Sequence, residues 1–153
     1  MNKRIHDILL QYDEWGRYEF PSDFDAGSLS QKVVLLKQEL DKTFSNDFLI
    51  DDQVQDASFF CDIKIPEFLI EDFRNNLNYS IRISNFGYLT TINFEEEIIE
   101  EVLAIIKVTL LKLDFTYISG DDLDITYDGK FEAFKNISNH TKATWYTRYF
   151  DWL

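Results

Sequence analysis

Cysteine, proline, glycine and histidine are all scarce in this chain: among 153 residues there are one Cys, two Pro, five Gly and two His. With Cys61 alone, no intrachain disulfide is possible and a thiolate metal cage lacks its ligands. The glycines are Gly16, Gly27, Gly87, Gly120 and Gly129, none within eight residues of another. Phosphate-cradling loops need closely spaced glycines, so a Walker loop and a dinucleotide fingerprint are excluded. No Gly-x-Ser-x-Gly elbow occurs. His6 and His140 do not form the clustered set that zinc requires. His140 lies in the polar run Ser138-Asn139-His140-Thr141, which reads as a surface loop.

Long hydrophobic runs are also missing. The most apolar stretch, Ile98 to Leu113, carries Glu100, Glu101, Lys107 and Lys112 and is not a membrane span. At the start, Ile8-Leu9-Leu10 gives way at once to Gln11, Tyr12, Asp13 and Glu14, which is too short for a signal peptide. The expected address is therefore cytoplasmic. Asn-x-Ser/Thr triplets at Asn78, Asn136 and Asn139 are then chance matches in an Asn-rich chain. Positive charge is in short supply as well, with 15 Lys and Arg against 28 Asp and Glu, a net charge of −13. The basic residues are scattered, and no two are adjacent after Lys3-Arg4. A nucleic-acid binder needs a basic stripe, so the charge disfavours both nucleic acid and anionic membrane as partners.

What the chain does have is aromatic residues: 14 Phe, 8 Tyr and 3 Trp. An acidic disordered segment would be poor in them. The length suits one domain, residues 1–153, with a core able to hold itself together. Ile5, Ile8, Leu9 and Tyr12 have amphipathic-helix spacing. A turn-rich stretch from Gly16 to Gly27 precedes a second helix, with Ser28 and Gln31 in capping-box spacing and Leu29, Val33, Leu36 and Leu40 as its buried stripe. Phe59 to Ile65 reads as a strand stopped by Pro66, with Phe59, Cys61, Ile63 and Ile65 on one face. Pro66-Glu67 is placed to open a short helix through Phe73.

Tyr79–Ser84 and Tyr88–Ile92 flank Asn85-Phe86-Gly87 as a hairpin. Asn93 and Glu96 then read as the cap of the longest helix, whose apolar stripe is Ile99, Leu103, Ile106, Leu110 and Leu113. That stripe suits burial against a sheet or, alternatively, a homodimer seam. Phe115–Ile118 and Leu123–Phe134 read as further short strands. The sum is an α+β domain, a largely antiparallel sheet packed against two or three helices.

Asp124-Ile125-Thr126-Tyr127-Asp128-Gly129 imitates half of a calcium-binding EF-hand loop, but Lys135 stands where the closing Glu belongs. Asp128-Gly129 reads better as a tight hairpin turn. Negative charge gathers in three places: Asp47, Asp51, Asp52 and Asp56; Glu95, Glu96, Glu97, Glu100 and Glu101; and Asp121, Asp122, Asp124 and Asp128. The chain closes with Thr144-Trp145-Tyr146-Thr147-Arg148-Tyr149-Phe150-Asp151-Trp152-Leu153, either a core element or an exposed aromatic anchor.

That ending, with the Gly120-Asp121-Asp122-Leu123 turn and Tyr127-Asp128-Gly129 before it, resembles small acidic bacterial toxin-immunity proteins. The resemblance implies a cytoplasmic single-domain inhibitor of a basic toxin, frequently a nuclease, and transfers no functional residue. The expected function is accordingly stoichiometric binding of a basic, toxin-like protein, without enzymatic activity and without a cofactor or metal, by a monomer or homodimer. The expected contact residues are Asp121, Asp122, Asp124 and Asp128, followed by Glu96, Glu97, Glu100 and Glu101, because loops on a rigid scaffold commonly carry binding residues. The competing readings are a carboxylate-based hydrolase, possibly metal-dependent, and a homodimeric scaffold built on the long helix.

Overall fold

The computed structural model describes residues 1–136 and 142–153; His140 and Asn139 lie outside the described residues. The chain forms an α+β domain around a five-stranded sheet in the order β1-β2-β3-β4-β5. These strands are Ile50–Asp51, Phe59–Lys64, Ser80–Ser84, Leu89–Asn93 and Thr116–Tyr117. All neighbours are antiparallel except β4 and β5, which run parallel. A parallel pair needs a crossover, and the helix α3, Glu100–Lys112, supplies it.

Two cores follow from the two faces of the sheet. On one, α2 (Ala26–Phe44) and α3 pack Leu29, Val33, Leu36, Leu40, Ile106 and Leu110 against Cys61, Ile63, Ile81 and Ile83. These are the residues that helical periodicity selects in α2. Cys61 is fully buried, and burial pushes its thiol well above the ordinary range, with Asp62 adding to the effect. The second core joins α1 (Lys3–Gln11) and α5 (Trp145–Phe150) to the hairpin, with Leu9, Phe86, Leu89, Trp145, Tyr149 and Phe150 at its centre. Trp145, Tyr149 and Phe150 of the aromatic ending are thus core, while Trp152 at its end stays 51% exposed.

Several elements depart from local expectation, each for a visible reason. Asp25 caps α2 in place of Ser28, accepting from the Ser28 backbone N–H at 3.2 Å and its hydroxyl at 2.8 Å. A bulge between Phe59 and Cys61 rotates Phe59 off the Cys61 face. Phe59 then lies under the Arg82 guanidinium, 3.8 Å from its ring centroid, and meets Trp152 edge-on. The short helix after Pro66 ends at Leu69, and where a helix capped by Asn93 was expected only a 3-10 turn, Glu95–Glu97, forms before Ile98 and Ile99, which stay extended. These two failures have one cause. Glu71 donates to the Glu97 carbonyl at 2.8 Å and Ile99 to the Leu69 carbonyl at 3.1 Å, so a long-range tie overrides both helical propensities.

The Leu123–Phe134 strands are likewise absent. A single-turn α4, Gly120–Leu123, and a 3-10 turn, Glu132–Asn136, occupy that region. Nor is Asp128-Gly129 a hairpin turn, because Gly129 has no positive φ. Its need is space, since a Cβ there would meet Asp13 Oδ2 at 2.0 Å.

That carboxylate belongs to a buried ion pair. Arg148 is wholly buried and Asp13 exposes 1% of its side chain, with Nε donating to Oδ1 at 2.8 Å. Asp13 also accepts from the Tyr127 hydroxyl at 2.7 Å and the Lys130 N–H at 3.1 Å. Arg148 donates to the Glu14 carbonyl and lies 4.7 Å from the Phe86 ring centroid. Removing one partner leaves a buried charge unmatched, which costs about 3–5 kcal/mol. Asp13→Ala should therefore lower stability by that amount in urea melts. A loss below about 1 kcal/mol would show that the pair organises little.

Candidate functional site

Tertiary structure divides the acidic clusters. The β4 strand ends at Asn93, whose side chain donates to the Ser80 hydroxyl at 3.1 Å and accepts from the Tyr146 hydroxyl at 2.8 Å. Phe94 follows with φ of 61°, a left-handed conformation rare for a bulky residue. This turn directs Glu95 back toward the sheet, where it accepts a hydrogen bond from the Tyr117 hydroxyl and lies 3.6 Å from Lys107 Nζ. The Lys107 ammonium also sits 4.9 Å from the Tyr117 ring centroid. Burial pushes the Tyr117 phenol up, and the Glu95 carboxylate pushes it further the same way. Tyr117 is thereby held as a neutral donor.

From the other side α4 arrives, capped by Ser119, whose hydroxyl accepts from the Asp122 N–H at 3.2 Å and donates to the Asp122 carboxylate at 3.1 Å. Between these walls lies a cleft of about 550 Å³ lined by Asn93, Phe94, Glu95, Glu96, Lys107, Tyr117, Asp121 and Tyr146 among others. Of the expected contact residues, Glu96 and Asp121 reach it, and Glu95 joins them. Beneath, Tyr146 accepts from Arg82 at 3.1 Å, and Arg82 grips Asp62 through two bonds of 2.8 and 2.9 Å. A buried polar network therefore holds the floor in place, as binding-site geometry requires.

The other expected residues go elsewhere. Asp122 serves as a cap partner, and Asp124 is exposed beyond α4. Glu97 pairs with Arg74 at 2.7 Å, while Glu100 and Glu101 are exposed on the first turn of α3. Asp128 faces away from the cleft residues toward His6 Nε2, 3.0 Å from both of its oxygens, and accepts from the Trp145 indole N–H at 3.0 Å. It is a strut between α1 and α5. Among the described residues, no three of His, Cys, Asp and Glu gather as metal ligands do.

Exposed aromatics lie where sequence reading did not place them. Trp15 is 73% exposed and Tyr18 and Phe20 are each 39% exposed, all in the turn-rich stretch before α2. Trp15 and Tyr18 lean on Phe131, 6.0 and 4.7 Å between ring centroids, next to Asp128-Gly129-Lys130. The available signal was aromatic residues within a turn-rich segment. No family model matches the chain, and no curated protein or solved structure matches it either.

Burial raises the Asp128 carboxyl, but the bonds from His6 and Trp145 outweigh it and leave the group below its ordinary value. A lowered native pKa gives stability that is complete above the unfolded value, about pH 4, and fades as pH falls through the native one. Asp128→Ala should cost about 1 kcal/mol at neutral pH. The difference from wild type should shrink as pH falls below about 4 in acid titrations followed by circular dichroism. An equal difference at neutral and acid pH would mean that the carboxylate is not what is lost.

Proposed function

We propose that this protein is a stoichiometric binding protein of the immunity type, which neutralises a basic toxin-like partner by covering its basic site with an acidic surface. The observation that carries this reading is the cleft between β4 and α4, where Glu95, Glu96 and Asp121 from distant parts of a chain of net charge −13 converge. An acidic field of this size attracts a basic protein over distance and raises the association rate. Glu96 and Asp121 are exposed on the rim and are the first charges an approaching Lys or Arg side chain meets. Trp15, 73% exposed against Phe131, is the kind of aromatic side chain that dominates interface energies.

Glu95 has a different role in this reading. Its carboxylate is already engaged by Tyr117 and Lys107. An entering guanidinium would compete with Lys107 for it, so binding there exchanges one ion pair for another. The net gain comes from the rim.

Pull-down at low salt should recover a basic protein, and its association rate should fall steeply as salt rises. The double variant Glu96→Gln, Asp121→Asn should slow association several-fold and leave dissociation nearly unchanged. Its stability should stay within about 0.5 kcal/mol of wild type, because both side chains are exposed. A salt-independent association rate, or unchanged kinetics in the double variant, would overturn the assignment of the cleft.

A further inference from the structure

The two long helices present a face unlike the rest of the molecule. Ala104, Ile105, Val108 and Leu111 are exposed along α3 in steps of one, three and three. Ile105 is 41%, Val108 66% and Leu111 75% exposed. Helical geometry puts them on one stripe, opposite the buried Val102, Ile106 and Leu110. On α2, Leu35 is 57% exposed and lies one turn from Glu39. Glu39 accepts from Lys112 at 2.9 Å and Lys32 lies over the Phe115 ring, which places Leu35 at the C-terminal end of the α3 stripe.

Charge identifies the occupant. The α2 helix holds three Lys against one Glu and one Asp, and α3 holds two Lys against two Glu. The apolar stripe thus lies on a nearly neutral part of a chain whose net charge is −13. A basic partner gains nothing there from the acidic field. For a second copy, by contrast, this is the surface on which two like-charged molecules meet with least repulsion. The stripe is also self-complementary. With α3 antiparallel to its copy about a two-fold axis between Ile106 and Lys107, Glu101 falls opposite Lys112 and Ile105 opposite Val108.

We propose that the chain forms a homodimer through the antiparallel pairing of α3, flanked by Leu35. This goes beyond the acidic-cleft reading and is independent of it. Two helices of 13 and 19 residues present roughly 20 Å by 20–25 Å to a copy, given 1.5 Å of rise per residue and 8–10 Å between axes. That is about half of the ~800 Å² per partner found in standard interfaces, so the dimer is a weak one.

Sedimentation equilibrium from about 5 to 500 µM spans weak association of this kind. The mass should rise from that of one chain, 18.2 kDa, toward twice that value. Added salt should tighten the dimer by screening self-repulsion, the reverse of its effect on a basic partner. Val108→Glu with Leu111→Glu should keep the monomer mass throughout, and both positions are exposed enough for the fold to persist. Ile105→Cys mixed with Val108→Cys should cross-link faster than either alone, since the native Cys61 is buried. A wild-type monomer mass at every concentration would overturn the proposal, as would a dimer indifferent to the double glutamate variant.

Discussion

A guanidinium removed from water needs its charge matched, and the Arg148–Asp13 pair is where this fold meets that requirement. It fixes the position of α5, because Arg148 lies mid-helix with Trp145 and Tyr149 around it. It also fixes the segment after α1, because Asp13 must approach within 2.8 Å. Gly129 is tied to it too, since a side chain there would occupy the place of the carboxylate. Tyr127 and Lys130 complete the oxygen's hydrogen bonds and draw the post-α4 loop over the pair. One buried charge thus organises three segments that are distant in sequence. A buried ion pair is weak as a source of net stability, but a wrong arrangement would strand it, and that penalty favours one packing of the second core.

The Arg82–Asp62 pair plays the corresponding part on the sheet. It lies on the face opposite Cys61 and Ile63, where Ser80 and Ser84 are also buried. Arg82 donates further to the Phe150 carbonyl and to Tyr146, and so fastens α5 to β3. Tyr146 passes this order to Asn93, whose side chain holds the end of β4 at the cleft. The acidic cleft is therefore floored by the same network that docks α5. Structure and candidate function share this network, and changes at Tyr146 would be felt in both.

Of the 28 acidic residues, those in the best-marked clusters prove unequal. Asp128, Glu97 and Asp122 are committed to His6 and Trp145, to Arg74, and to the α4 cap. Glu96, Asp121, Asp124, Glu100 and Glu101 remain exposed. Charge density along the sequence does not separate these groups, because separation depends on which base or donor the fold brings near. The charge surplus nevertheless has a spatial order, with α2 and α3 close to neutral and the excess carried elsewhere.

Sequence by itself determined the α+β class, the hairpin of β3 and β4, the α2 core stripe and the absence of a closely spaced glycine motif and of an intrachain disulfide. Each rests on a local rule: side-chain period, turn composition, or a motif that needs particular residues close together. Tertiary structure alone decided the start of α3, the loss of the post-α4 strands, the turn of Phe59 away from Cys61, and the burial of Trp145, Tyr149 and Phe150 in the aromatic ending. In each case a long-range partner won over local propensity. Residues 69–71 hold Ile98 and Ile99 extended, and the Asp13 carboxylate claims the space beside Gly129. Which acidic residues stay free is of the same kind, because a surface charge becomes structural only when the fold delivers its partner.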